Sequence, residues 1–147
     1  MKELTTKQKG ILTEEFIKLW FLRKGFSVSV PIGDNDRYDF IVDFDGKLIR
    51  FQCKSGNLTR TAGCLNFATA SLKRDKTGSH RTYYTKKDID YFCTVHPETE
   101  QVYIVPVEDC GNEFNLRLIP PKNNALSICH MATDYEGDKM VQKILEI

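Results

Sequence analysis

Asp39, Gln52 and Lys54 carry the sharpest chemical signal in this sequence of 147 residues. Asp45-Gly46 stands between two apolar runs and is a strong signal for a two-residue hairpin turn. Residues 38–44 and 47–54 therefore read as paired strands. Asp39 sits at the start of the first, and Gln52 and Lys54 near the end of the second. Residues two apart on a strand share a face, so Gln52 and Lys54 point the same way. Asp39 can lie opposite them. A carboxylate, an amide oxygen and an ammonium would then converge. Carboxylate and amide oxygens suit a hard divalent cation, usually Mg²⁺, that keeps several waters. Such an ion polarises a phosphate and lowers the pKa of a bound water. The lysine can orient or activate that water, or stabilise charge in the transition state. The chemistry expected is hydrolysis of a phosphodiester. The spacing alone is equally that of an exposed polar strand face.

The neighbouring sequence favours a polyanion. Between Arg50 and Lys87 stand nine Lys or Arg and one acid, Asp75, a net charge of +8. The rest of the chain holds 12 basic and 19 acidic residues, a net charge of −7. A basic segment in an otherwise acidic chain points to nucleic acid or another polyanion. Arg60, Lys73, Arg74, Lys76, Arg81, Lys86 and Lys87 are the candidate phosphate contacts, with His80 beside them. Tyr83 and Tyr84 suit either stacking on nucleic acid or packing. Asn66, Thr69 and Ser71 are small polar groups able to read base edges.

The elements that must position these residues follow from turn and cap signals. Thr5 or Thr6 caps a helix running to about Lys24, and Gly25 stops it. Residues 26–30 alternate as a strand ended by Pro31 and Gly33. Asp34 and Asp36 read as turn formers. Residues 64–70 form a short strand, and 72–81 a polar, basic loop. One helical turn is expected at 85–89. Two apolar runs, 91–95 and 101–107, form a second hairpin around His96 to Glu100. A strand at 116–119 is stopped by Pro120-Pro121. Residues 134–147 form a helix with Met140, Val141, Ile144 and Leu145 on its apolar side. The expected architecture is α/β, a mixed central sheet flanked by helices, in a single domain over 1–147. The apolar candidates for an interface are the C-terminal helix and the second hairpin.

Other classes are disfavoured. A hydrophobic fraction of 41% with 28% charged residues is globular. No stretch approaches the roughly 18 apolar residues of a membrane span, and the N-terminal residues lack a signal-peptide core. A cytoplasmic protein is expected, and five cysteines without a C-x-x-C pair fit reduced thiols. Cys93-x-x-His96 and Cys129-His130 lack the partner pairs of a tetrahedral zinc site. There is no P-loop, nucleophile elbow or dinucleotide fingerprint.

Pro31-Ile32-Gly33-Asp34-Asn35-Asp36-Arg37-Tyr38-Asp39, followed by Arg50-Phe51-Gln52-Cys53-Lys54, resembles the PD-(D/E)XK nuclease motif. It is most similar to the branch that carries glutamine at the second acidic position. That branch includes a group I intron homing endonuclease and is related to archaeal Holliday junction resolvases. Further similarity lies at Lys9-Gly10 with Glu14, at Tyr84-Thr85 with the segment 88–92, and along 102–107. The resemblance implies a restriction-endonuclease-like core. It implies Asp39 and Gln52 as metal ligands, Lys54 as the catalytic lysine, and the Cys53 carbonyl as a further ligand. A helical glutamate completes the set. The spacing from Lys9-Gly10 assigns it to Glu14, whose stripe would hold Gly10, Ile17 and Phe21. Glu15 is the rival if Leu12, Phe16, Leu19 and Trp20 face the core. The implied activity is a Mg²⁺-dependent DNA endonuclease, with Mn²⁺ as a substitute. Homing, junction-resolving and restriction or repair roles all remain open. Gln52 also leaves room for a non-catalytic DNA-binding domain. One site cuts one strand, so duplex cleavage implies a homodimer or homotetramer.

Overall fold

The computed structural model describes residues 1–60, 63–122 and 130–147. Helix α1 (Thr6–Arg23) opens on a capping box. The Thr5 hydroxyl accepts from the Gln8 N–H (3.1 Å), and the Gln8 side chain accepts from the Thr5 N–H (2.9 Å). It ends at Gly25, whose φ of +88° is the left-handed turn expected there. Strands β1 (Ser27–Ser29), β2 (Phe40–Phe44) and β3 (Lys47–Cys53) follow. Asp45 and Gly46 both have positive φ, as a primed hairpin turn requires. Further along lie β4 (Asn57–Leu58), β5 (Cys64–Ala68), β6 (Ala70–Asp75) and β7 (Gly78–Tyr83). The hairpin of β8 (Tyr91–Val95) and β9 (Val102–Pro106) stands as expected. Strand β10 (Glu113–Arg117) and helix α2 (Gly137–Glu146) complete the order.

The central sheet runs β1-β2-β3-β8-β9 and is mixed, as the sequence implies. Its single parallel pairing, β3 with β8, forces a crossover between them. That crossover carries strands instead of a long helix. Strands β4 and β5 join β10 in a three-stranded sheet, and β6 pairs with β7 in a separate ribbon.

Alternation along the strands builds two cores. Phe40, Val42, Phe44 and Phe51 face α1 and α2, and bury against Ile17, Phe21, Met140, Val141 and Ile144. Phe92, Tyr103 and Val105 face the other way, onto Leu65, Phe67, Phe114 and Leu116 of the second sheet. Both helices thus lie on one face and the small sheet covers the other. The apolar side of α2 is consumed in these cores, as are most strand residues of the β8–β9 hairpin, whose turn end (Val95 to Pro97) instead lines a groove along α1. Trp20 packs against Gly137, where an added Cβ would meet the indole at 2.8 Å.

The segment 72–81 is the main correction. It is not a loop but most of the β6–β7 ribbon, paired from Ala70↔Tyr83 to Asp75↔Gly78. The turn is closed by Asp75, whose carboxylate accepts from the Thr77 N–H (2.7 Å) and hydroxyl (2.6 Å). Among the described residues no helix is long and apolar enough to cross a membrane.

Candidate active site

Asp39 is fixed by the strand that carries its partners. Its N–H donates to the Phe51 carbonyl (2.8 Å), and its Oδ2 accepts from the Cys53 N–H (2.7 Å). Phe40 pairs with Phe51, so one step of the same register sets Asp39 opposite Gln52. Burial pushes the Asp39 carboxyl up to about 6; the Cys53 N–H opposes this, the Glu14 carboxylate adds to it, and the Lys54 and Lys18 ammoniums oppose it.

Glu14 reaches this place from α1. Ile17 and Phe21, on its stripe, are fully buried. The rival stripe faces inward only in part: Phe16 and Trp20 pack against the core, but Leu12 and Leu19 are 53% and 47% exposed. Glu14 is accordingly half-sheltered (31%) whereas Glu15 stands out in solvent (62%). Lys18, one turn on, bridges Glu14 (3.6 Å) and Glu15 (2.6 Å).

Lys54 follows β3 directly. Its N–H donates to the Cys93 carbonyl (2.9 Å), which ties its backbone to β8. Its Nζ donates to the Ala70 carbonyl (3.3 Å) at the root of the ribbon, and lies 4.9 Å from the Tyr84 ring centroid. Burial lowers the Lys54 pKa, Asp39 opposes the fall, and Arg37 adds to it. Gln52 is half-buried on β3 and pairs in register with Phe92. The Cys53 side chain packs toward the helices, and burial pushes its thiol well up, so only its backbone is offered to the site.

Among the described residues no cluster of three or more His, Cys, Asp and Glu could hold a metal. The donor set here is of another kind: two carboxylates, Asp39 and Glu14, with neutral oxygens from Gln52 and the Cys53 backbone. It fits a hard divalent cation. Burial and the Glu14 carboxylate raise the cost of ionising Asp39, and a cation bound there would relieve it.

From sequence, two neighbours, Lys18 and Arg37, receive no role, and a third, Tyr84, is not joined to the site. Lys18 was signalled by its i+4 spacing from Glu14. Arg37 had only its closeness to Asp39 as a signal. Tyr84 was seen, but nothing local linked it to Lys54. The Arg37 guanidinium lies 4.0 Å from the Tyr84 ring centroid. The ring also meets Phe92 edge-on at 5.4 Å, so Tyr84 packs, while Tyr83 is exposed.

Lys73, Arg74, Lys76 and Arg81 are exposed on the ribbon and its turn. Arg60 is exposed beyond β4, away from any described pairing with the site residues. Lys86 and Lys87 follow the ribbon; Lys86 lies 3.6 Å from Glu108. Arg50 is a brace, bonded to Asp90 (3.2 Å) and to the Lys86 and Lys87 carbonyls. Thr69 is buried and donates to the Gly111 carbonyl (2.6 Å), so it reads no base edge. His96 spends Nδ1 accepting the Glu98 and Thr99 N–H groups of its loop. Cys129 lies outside the described residues.

The structure titled as a bacterial homing endonuclease, I-Ssp6803I, is similar over 97% of this chain and 95% of its own. The TM-score is 0.79 and the identity 23%. The structure titled MepB aligns over 89% and 91% of the two chains at 15% identity, with a TM-score of only 0.38. No curated protein matches the sequence. The family described as PD-(D/E)XK endonuclease matches residues 4–138. With the match spanning all but the ends of the chain, the protein belongs to the PD-(D/E)XK endonuclease family.

Proposed function

We propose that this nuclease is a Mg²⁺-dependent DNA endonuclease of the homing type, acting as one domain in the cytoplasm. One observation carries the site assignment: the Asp39 carboxylate is anchored on the Cys53 N–H, within the electrostatic reach of Glu14 and Lys54. Asp39, Glu14, the Gln52 amide oxygen and the Cys53 carbonyl would hold the cation, and Mn²⁺ would substitute. When bound, the cation supplies a Lewis acid for the phosphate and a more acidic water. Lys54 orients that water and stabilises charge on the phosphate oxygens. Asp39 and Glu14 hold the donor geometry, with the Lys18 ammonium 3.6 Å from Glu14.

The ribbon is the proposed DNA contact. A two-stranded ribbon fits the major groove of B-DNA. Lys73, Arg74, Lys76 and Arg81 line it, with Arg60, Lys86 and Lys87 as flanking phosphate contacts. The homing assignment leans on the similarity to a structure described as a homing endonuclease. Junction resolution and restriction or repair remain the alternatives within the class. Gln52 favours one alternative of another kind, a DNA-binding domain without catalysis, because a neutral amide leaves the site one charge short.

The test is a nicking and linearisation assay of wild type and Lys54→Ala. Supercoiled plasmid, a four-way junction and random duplex are each offered with Mg²⁺, Mn²⁺ or EDTA. Cleavage that requires both metal and Lys54 supports the proposal. Symmetric cutting of the junction alone replaces homing with junction resolution. Binding without cleavage, on a library that includes long specific duplexes, replaces it with the non-catalytic domain.

A further inference from the structure

Three residues far apart in sequence meet beside the site. Tyr84 follows β7 and is half-buried, its ring edge-on to Phe92. The Arg37 guanidinium lies 4.0 Å from the ring centroid, and the Lys54 Nζ 4.9 Å from it. Arg37 is itself braced. Its Nη2 donates to the Thr82 carbonyl of β7 (3.1 Å), and its Nη1 stands 4.0 Å from Asp88. Asp88 accepts in turn from the Thr85 N–H (2.9 Å). On the other side, Lys54 Nζ donates to the carbonyl of Ala70, the first residue of β6. Ala70 and Tyr83 are the register pair that closes the ribbon's root. The lysine head therefore meets both sides of the ribbon's root, a carbonyl from the first residue of β6 and the ring of the residue that follows β7.

A lysine side chain has four rotatable bonds and loses much freedom when its head is placed. A ring face and a carbonyl that meet the ammonium narrow that freedom before substrate arrives, and such placement is worth orders of magnitude in rate. The Phe92 and Arg37 contacts leave Tyr84 poorly placed to stack on a base, unlike exposed Tyr83.

We propose that Tyr84, braced by Arg37, is a positioning residue for Lys54, and that it couples the lysine to the seating of the β6–β7 ribbon. This rests on the nuclease reading of the site. Seating the ribbon in DNA then fixes the root, and the root fixes the Lys54 head.

The test compares Tyr84→Leu and Tyr84→Phe with wild type in single-turnover cleavage, with DNA affinity measured in Ca²⁺. Thermal unfolding verifies that each variant is folded, and Tyr84→Met fills the same space without a ring if the leucine variant is not. A third readout needs no cleavage: the NMR shift of the Lys54 ε-methylene protons, assigned through Lys54→Arg. Tyr84→Phe keeps the ring and should cut within about threefold of wild type. Tyr84→Leu should cut roughly 10- to 100-fold more slowly at nearly unchanged affinity. The ε-methylene signal should sit upfield in wild type and Tyr84→Phe, and relax toward its free value in Tyr84→Leu. Wild-type cutting by Tyr84→Leu, a loss of affinity equal to the loss of rate, or an unmoved signal each overturn the proposal. If wild type itself cuts nothing, the nuclease reading falls, and the ε-methylene shift still decides whether Tyr84 holds Lys54.

Discussion

Asp39 is pulled two ways by its surroundings. The Cys53 N–H holds it in place, while burial and Glu14 make its ionised form costly. An isolated aspartate ionises near 3.8; in the folded chain the value is about 6. The raised value means the folded state binds the proton more tightly than the unfolded state. Without metal, that contribution to stability is fully present below about pH 4 and is lost as pH rises through about 6. The loss is on the order of 3 kcal/mol. Asp39→Asn removes the charge and keeps an oxygen for the Cys53 N–H. It should therefore raise the melting temperature of the metal-free protein at about pH 7.5, and have little effect near pH 4. Added Mg²⁺ should stabilise wild type and not the variant. Equal melting at both pH values, with and without Mg²⁺, would show that Asp39 carries no such strain. Activity should move oppositely. Asp39→Ala and Lys54→Ala are each expected to abolish cutting while DNA affinity survives, read by gel shift beside the nicking assay. Full cutting by either would refute the site.

At the scale of elements, the β2–β3 hairpin and the β6–β7 ribbon differ in how much the sequence says about them. The first was legible because Asp45-Gly46 fixes the turn and Phe40, Val42, Phe44 and Phe51 mark the buried face, so the opposition of Asp39 and Gln52 follows from counting. Glu14 came from its spacing to Lys9-Gly10 under the family resemblance, and the buried Ile17 and Phe21 of its stripe support that choice over Glu15. The ribbon was not, because both its faces are exposed and no apolar alternation marks them. Its pairing rests on cross-strand hydrogen bonds, the Asp75 turn and the contacts of Arg37 and Lys54 at its root. Those contacts join positions 37, 54 and 84 through the crossover between β3 and β8, which no local pattern encodes. A ribbon without a core is also one that sequence changes can alter with little harm to the fold. Arg74→Ala and Arg81→Ala should leave melting unchanged. Each substitution that removes a phosphate-binding cation should flatten the slope of log affinity against log salt by about 0.9, measured by fluorescence anisotropy across a salt series. Unchanged slopes would place the DNA elsewhere. Gly56, just past Lys54, is a contrasting case. A Cβ there would meet Leu65 at 2.7 Å and Thr94 at 2.8 Å. Gly56→Ala should cost roughly 1–3 kcal/mol by overpacking, visible in denaturant unfolding. It should also slow cutting, since the strain falls beside the lysine.

For the whole molecule, the charge is divided between a basic segment that includes the ribbon and an acidic remainder, which under the proposed function would orient the chain on DNA before any specific contact forms. One site per chain still cuts one strand, and a duplex presents two strands related by a two-fold axis. Closed two-fold assembly is the economical answer. The surface that suits it is the groove between α1 and the turn end of the second hairpin, not α2, whose apolar side is already buried. Leu12 and Leu19 stand exposed on the helix and line a groove with Phe16, Leu58 and Val95. Lys9 and Glu15 border the same groove, so a second copy turned by a two-fold could set opposite charges against each other. These residues lie off the stripe that carries Glu14, so the interface and the site can be separated by mutation. The joint variant Leu12→Glu, Leu19→Glu should fold, bind DNA more weakly and sediment as a monomer, whereas wild type sediments as a dimer or tetramer. On supercoiled plasmid the variant should yield nicked circles and little linear product, because each monomer still cuts its own strand. If wild type sediments as a monomer at concentrations where it linearises plasmid, the two-fold argument fails, and double-strand cutting must come from two independent nicks.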